Sequence, residues 1–294
     1  MKSFIYDRYG YIIEDDKESF DYQGFRFVVE RNEKSVQETE EMNQFLRNFS
    51  SELFNKKAYI VPSRDNFLIT LSEFGNVSLV AIENFKVTVN DILNIHQYGM
   101  NYDSKLKLSY VKNRWINKLN LIESKIIPSL KVDDYYYQLI MICVTHSLGM
   151  ANNAISYLED TIIDFGDQLK VTTLTHKRIS LDSYSLLNPF NIIVDSPMRD
   201  YAELYKNNLI SFEELTNLLL RSQINSKDAS ILFSRILYPT NFFDLIEDDY
   251  LKRGDITSKI LNYYQEIPTQ IQKIKKIHNF LVMNYGIRKI NWLD

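Results

Sequence analysis

The stretch "THKRISLDSYSLLNPFNIIVDSPMRD", residues 175–200, places an imidazole, two guanidinium groups and three carboxylates within one short region. Phosphoryl transfer is the chemistry such a set could serve. It asks for a loop carboxylate to accept or orient the acceptor hydroxyl, an Asn and a strand-end Asp to hold magnesium, and a lysine to neutralise the phosphates. Arg178 cannot be the base, because its guanidinium stays protonated; its charge would hold a phosphate without activating a hydroxyl. Asp182 is the single nearby carboxylate that could replace the base, and it lies on the far side of the loop from where a base would stand. Asp195 closes the apolar run "NIIVD". A lone carboxylate there serves as a turn acceptor or as a metal ligand, and magnesium sites recruit a second carboxylate or the substrate's phosphates. No Gly-x-Gly-x-x-Gly occurs among the eight glycines. Arg26 and Arg31 stand where a phosphate-neutralising lysine is wanted, with Glu38 or Glu41 as pairing partners on the next helix.

Positioning these groups falls to two short strands, "QLKVTTLTH" and "NIIVD", set in a region that is otherwise helical. Before residue 87 the pattern is mixed. "FDYQGFRFVVER" reads as one half-buried strand, "KKAYIVPS", "FLITLSEFGN" and "VSLVAIENF" as three more, separated by turn residues. Ser35 and Glu38 box the start of a helix whose apolar residues recur at helical spacing. From Thr88 onward capping boxes at Thr88/Asp91 and Ser211/Glu214 open further helices. A long helix from Lys105 is expected to end at Pro128, and breaks are expected near Gly149, Pro239 and Pro268. The economical reading is α+β: a sheet lobe over 1–86 and a helical lobe over 87–294 that carries the loop.

A chain of 294 residues with 45% hydrophobic and 24% charged residues can bury a core without metals or disulfides. The net charge of -4 creates no strong field, so nucleic acid is not an expected partner. The lone cysteine, Cys143, lies in an apolar run, which fits a buried role and a reducing cytosol. No signal peptide and no membrane-spanning stretch are expected from the pattern.

The segment from His176 to Leu204 resembles the aminoglycoside phosphotransferase branch of the protein kinase-like superfamily. More narrowly the chain resembles the CotS-related spore coat proteins of the YutH type. "LGMANNAISYLEDT", the His-x-Arg at His176 to Arg178, "VDSPMRDYAEL", "RILYPTNFFDLIEDDYL" and "INWLD" carry that narrower likeness. The resemblance implies a two-lobed kinase-like fold with a small antiparallel-sheet N-lobe and a larger, mostly helical C-lobe. By its pattern His176 braces the loop from beneath, Arg178 occupies the catalytic Asp position, Ser183 the metal-binding Asn position and Asp195 the metal Asp position. Arg199 and Asp200 match the pair that pins the loop structurally. The implied function is that of a pseudokinase-like spore coat component, expected to use no cofactor and to assemble with other spore coat proteins without entering a membrane. Two alternatives stay open: a small-molecule phosphotransferase using Asp182 with Mg-ATP and one metal at Asp195, or a nucleotide or anion sensor in which Arg178 clamps phosphate.

Overall fold

Alternation of apolar and polar residues from Phe20 onward builds a hairpin where the sequence reads as a single strand. The turn is Gln23–Gly24, both at positive φ (48° and 82°), the geometry that matches the twist of two antiparallel strands. The computed structural model describes residues 1–14, 17–73, 75–100, 106–130, 134–251 and 255–293. In chain order the elements are α1 (Lys2–Tyr9), β1 (Ser19–Tyr22), β2 (Phe25–Arg31), α2 (Val36–Phe54), β3 (Ala58–Val61), β4 (Thr70–Ser72), β5 (Gly75–Glu83) and α3 (Val89–Tyr98). There follow α4 (Leu108–Leu121), a π-turn (Ile122–Ile126), α5 (Ile127–Ser129), α6 (Asp134–Phe165), β6 (Thr173–His176), α7 (Ser183–Leu187) and β7 (Ile192–Asp195). The chain closes with α8 (Met198–Lys206), α9 (Phe212–Arg221), α10 (Ser226–Leu237), α11 (Thr240–Tyr250), α12 (Thr257–Tyr285) and a 3-10 turn (Asn291–Leu293).

Two compact units emerge: Met1–Tyr102 with Thr173–Asp195, and Asp103–Thr172 with Ser196–Asp294. The first holds an antiparallel sheet of order β1-β2-β5-β3, with β4 pairing the start of β5. Strand β5 is buried on both faces. Val77, Leu79 and Ala81 join Ile5, Ile13, Phe27, Val29 and Val61 in one apolar cluster. Ser78, Val80 and Ile82 point to the opposite face by the pleat and are also buried. Helix α2 is opened by the Ser35–Glu38 capping box, and fully buried Asn32 ties it to the sheet by donating to Thr39 (3.0 Å) and Ser78 (2.8 Å). The same unit contains the β6–β7 hairpin, brought back from more than 70 residues downstream of α3.

The second unit is helical. α6 packs against α4, α10 and α12, and α10 packs against α8. Its stretch Tyr136–Phe165 is long and apolar enough to cross a membrane by length and composition, which the sequence reading did not anticipate. On this helix Cys143, Val144, Met150, Ala151, Ala154 and Leu158 are buried, whereas Ile142, Ile163 and Phe165 are exposed. Gly149 does not break it. Nor does Pro268 interrupt α12: the proline is exposed, where water can take the carbonyl bond it forfeits. Pro239 does separate α10 from α11. Pro128 lies inside the short α5, so the helical path from α4 continues to Ser129; Lys105, the expected start of that helix, is outside the described residues.

Burial pushes the Cys143 thiol up to about 11, so almost no thiolate exists at neutral pH. The expected result is negligible labelling of the folded chain by an aromatic disulfide reagent and one equivalent after denaturation. Prompt labelling of the native protein would contradict the burial.

Candidate functional site

The candidate loop, residues 177–191, is held at its base by antiparallel pairing of β6 with β7, in a register that sets His176 opposite Ile192 and Thr173 opposite Asp195. Side chains fix its interior. The Asn191 carboxamide accepts from the Arg178 amide (3.0 Å) and donates to the carbonyls of Arg178 and Ser185 (both 2.7 Å). The backbone on both sides of Arg178 is therefore pinned by one residue. Asp182 caps α7 by accepting from the Ser185 amide (2.7 Å), and it also accepts from the Ser180 hydroxyl. An N-cap Asp is the ordinary solution to the unpaired amides of a first helical turn.

His176 is fully buried, its Nε2 3.1 Å from the carbonyl oxygen of Leu186, which joins the strand end to α7 beneath the loop. Arg178 is exposed, and its guanidinium donates to the Lys177 carbonyl at 2.7 Å. Ser183 is buried at the first position of α7. Asp195 is buried beside Thr173, three residues up the ladder from the His176–Ile192 pair, or about 10 Å at a strand's rise. By the pleat it shares a face with Thr173 and Thr175, while His176 projects from the other. The structure thus sets Arg178, Asp182 and Ser183 in one loop with His176 at its base, and Asp195 at the far end of the hairpin. Arg199 is half-buried and Asp200 fully buried in the first turn of α8, in the second unit. A carboxylate there complements the helix dipole. Among the described residues, no group of three or more His, Cys, Asp or Glu is placed to hold a metal ion.

The strongest polar constellation in this unit involves residues the sequence reading passed over. Glu30, half-buried in β2, accepts from the Tyr184 hydroxyl and from Asn188 Nδ2 (2.7 Å), and Asn188 Nδ2 also lies 2.9 Å from the Tyr184 oxygen. Asn188 Oδ1 in turn accepts from the Phe190 amide at 3.0 Å. Burial, and then the neighbouring Glu30 carboxylate, raise the Tyr184 phenol well above its ordinary value, so it remains a donor. Glu30 lies on the pleat face opposite Phe27 and Val29, from which it reaches the loop. Of the two arginines of β2, Arg26 pairs with Asp21 at 3.8 Å and, from the same strand face as Glu30, acts electrostatically on Tyr184, while Arg31 is exposed. Glu38 is taken by its capping box, and Glu41 accepts from Gln37. The one sequence signal for the constellation is the four-residue spacing of Tyr184 and Asn188, which puts both on one side of a helical turn.

Among solved structures, an aminoglycoside phosphotransferase from Alicyclobacillus acidocaldarius matches over 92% of this chain and 91% of its own, with TM-score 0.55 and 14% identity. A spectinomycin phosphotransferase, APH(9)-Ia, solved with ADP and spectinomycin, matches over 94% and 97%, with TM-score 0.53 and 11% identity. At those identities the likeness is one of fold: a kinase-like α+β fold with a small antiparallel sheet and a larger helical part. The endospore coat-associated protein YutH of Bacillus subtilis (strain 168) is 22% identical across an alignment of 181 positions that covers 55% of this chain and 53% of that protein. The chain thus aligns with about half the length of that relative. The profile of the family described as "Spore coat putative kinase YutH" matches residues 2–283, nearly the whole chain, and the protein belongs to that family.

Proposed function

We propose that this protein is a catalytically degenerate, kinase-like component of the endospore coat that acts as a scaffold or interaction partner for other coat proteins. The observation that carries the catalytic half is Glu30. A phosphoryl-transfer site wants cations and metal ligands around its loop. Here β2 presents a carboxylate to the loop, and that carboxylate is already consumed by Tyr184 and Asn188. An incoming polyphosphate would meet like charge in a partly desolvated place, where Coulomb repulsion is strong. The donor set fits magnesium-ATP poorly: Arg178 cannot accept a proton, and Asp182 caps a helix. The coat assignment is supported by the family and by the coat-associated relative. One buried thiol suits synthesis in a reducing cytosol before assembly.

Full-length protein titrated with magnesium-ATP tests the catalytic half. Nucleotide at a hundredfold excess over its Kd would add about 2.7 kcal/mol and raise the melting temperature visibly. The expected result is no such rise and no ATP hydrolysis. Hydrolysis abolished by Asp182→Ala would establish an atypical phosphotransferase instead, and a thermal shift abolished by Asp195→Ala would establish a nucleotide sensor. For the coat assignment, the protein should appear in the coat extract of purified spores; recovery only from the spore core would refute it.

A further inference from the structure

A concave pocket opens within the helical unit, lined by α6, α8, the α10–α11 junction, α11 and α12. The walls are aromatic, formed by Tyr205, Tyr238, Phe242 and Tyr263, over an aliphatic floor that includes Met150 and Ile274. Two lysines enter this lining and, among the described residues, no aspartate or glutamate does.

The two ammonium groups differ. Lys206 is neutralised: its Nζ lies 2.8 Å from Glu203 Oε1 and donates to Thr240 (2.7 Å) and to the Tyr238 carbonyl (3.3 Å). Lys273 is not. Its Nζ donates to the Tyr205 carbonyl (2.9 Å) and Asn208 Oδ1 (2.5 Å) and lies 4.7 Å from the Tyr205 ring centroid. All three partners are uncharged. No carboxylate pairs with it among the described residues, and a lysine has a third N–H to give. Burial lowers its pKa, the sign of a cation short of compensation, with Glu266 opposing only at longer range. His146, half-buried at the same pocket, makes no hydrogen bond among the described residues, so its imidazole can also serve a ligand.

We propose that this pocket binds a small planar organic carboxylate, with its ring between the tyrosine walls and its anionic group on Lys273. The carboxylate supplies the charge Lys273 lacks, and the apolar body replaces water against aromatic surface. A neutral isostere of the same shape keeps the second gain and loses the first. The site uses none of the residues on which the proposed coat role rests, so either reading can fail alone.

Benzoate and its neutral isostere benzamide, titrated into the full chain and followed by calorimetry and by the ring resonances of the four histidines, test it. Benzoate should bind at least about tenfold more tightly than benzamide, the worth of one charge-assisted contact, and should shift the His146 signals and not those of His96, His176 or His278. Lys273→Met, which keeps the methylene stem against Tyr205, should erase the tenfold preference while leaving benzamide affinity alone. Equal affinities in the unaltered protein, shifts confined to other histidines, or no binding of benzoate at about 10 mM would each overturn the proposal, and none of these needs the variant to fold.

Discussion

Gly99→Ala is expected to destabilise the sheet-bearing unit by about 3 kcal/mol, lowering its melting temperature by roughly 5–10 °C. Gly99 follows α3 with φ -84°, so no left-handed backbone is at stake and the cost is purely steric. A Cβ at this position would lie 2.6 Å from the backbone nitrogen of Leu174, 2.7 Å from the Thr173 hydroxyl and 2.9 Å from Leu174 Cγ. The nearest atom belongs to a paired strand and cannot swing away. The Thr173 hydroxyl is itself committed, donating to the His96 carbonyl at 2.6 Å. Relief therefore means pushing α3 off β6, the strand that delivers His176 to the loop. Gly149→Ala supplies the opposite sign: Gly149 is exposed within α6, a Cβ there meets nothing within 4 Å, and alanine should stabilise by about 0.5–1 kcal/mol. Thermal or urea unfolding of both variants checks the pair. An unchanged midpoint for Gly99→Ala would show that α3 and β6 do not approach as described.

These two glycines illustrate what local sequence can convey. Features decided within four residues were legible: the capping boxes at Ser35/Glu38 and Ser211/Glu214 open helices as expected, and Asp91 accepts from the Thr88 amide at 2.7 Å. Pro62 and Asn66 lie between β3 and β4 as expected of turn residues, whereas Gly75 and Asn76, expected in a turn, open β5 and pair with β4. Signals that depend on a residue's surroundings were not legible. Gly149 and Pro268 carry the same letters as helix breakers, yet a helix anchored by long apolar faces against its neighbours outweighs a local penalty of about 1–3 kcal/mol. Gln23–Gly24 turns a hairpin because a glutamine tolerates positive φ there, a less common choice than asparagine or aspartate.

The candidate site divides the same way. The identity of Arg178 in the loop, and the chemistry it forbids, can be read from one letter. The braces cannot, because Asn191 acts through three backbone groups six and thirteen residues away, and Glu30 acts across 154 and 158 residues. The sequence draws attention to the arginines of "FRFVVER"; only the pleat of β2 and the packing of the loop show that the glutamate between them faces Tyr184. Likewise Asp195 reads as a strand-end carboxylate, and its register opposite Thr173 is a pairing fact without a local signature.

Glu30→Ala is expected to cost about 2–4 kcal/mol, because it leaves one N–H of the buried Asn188 amide and the Tyr184 hydroxyl without their acceptor instead of merely deleting one bond. Glu30→Gln keeps an acceptor oxygen and should cost about 1 kcal/mol, the difference between charged and neutral hydrogen bonds. Glu30→Lys, which installs the cation a phosphate site would want, should be the worst of the three, since donors would then face donors. Tyr184→Phe isolates the hydroxyl, and a double-mutant cycle with Glu30→Ala should show a coupling of about 1–2 kcal/mol. The alkaline limb offers a second readout. The Tyr184 phenol is raised in the folded state, by burial first and Glu30 next, so its contribution is complete below pH about 10 and is lost as the pH climbs toward the folded value and the unfolded chain ionises first. Tyr184→Phe should accordingly flatten the loss of stability above that pH. If Glu30→Lys proves as stable as the unaltered chain, the face of β2 that meets the loop tolerates positive charge, and the electrostatic case against phosphate binding fails with it.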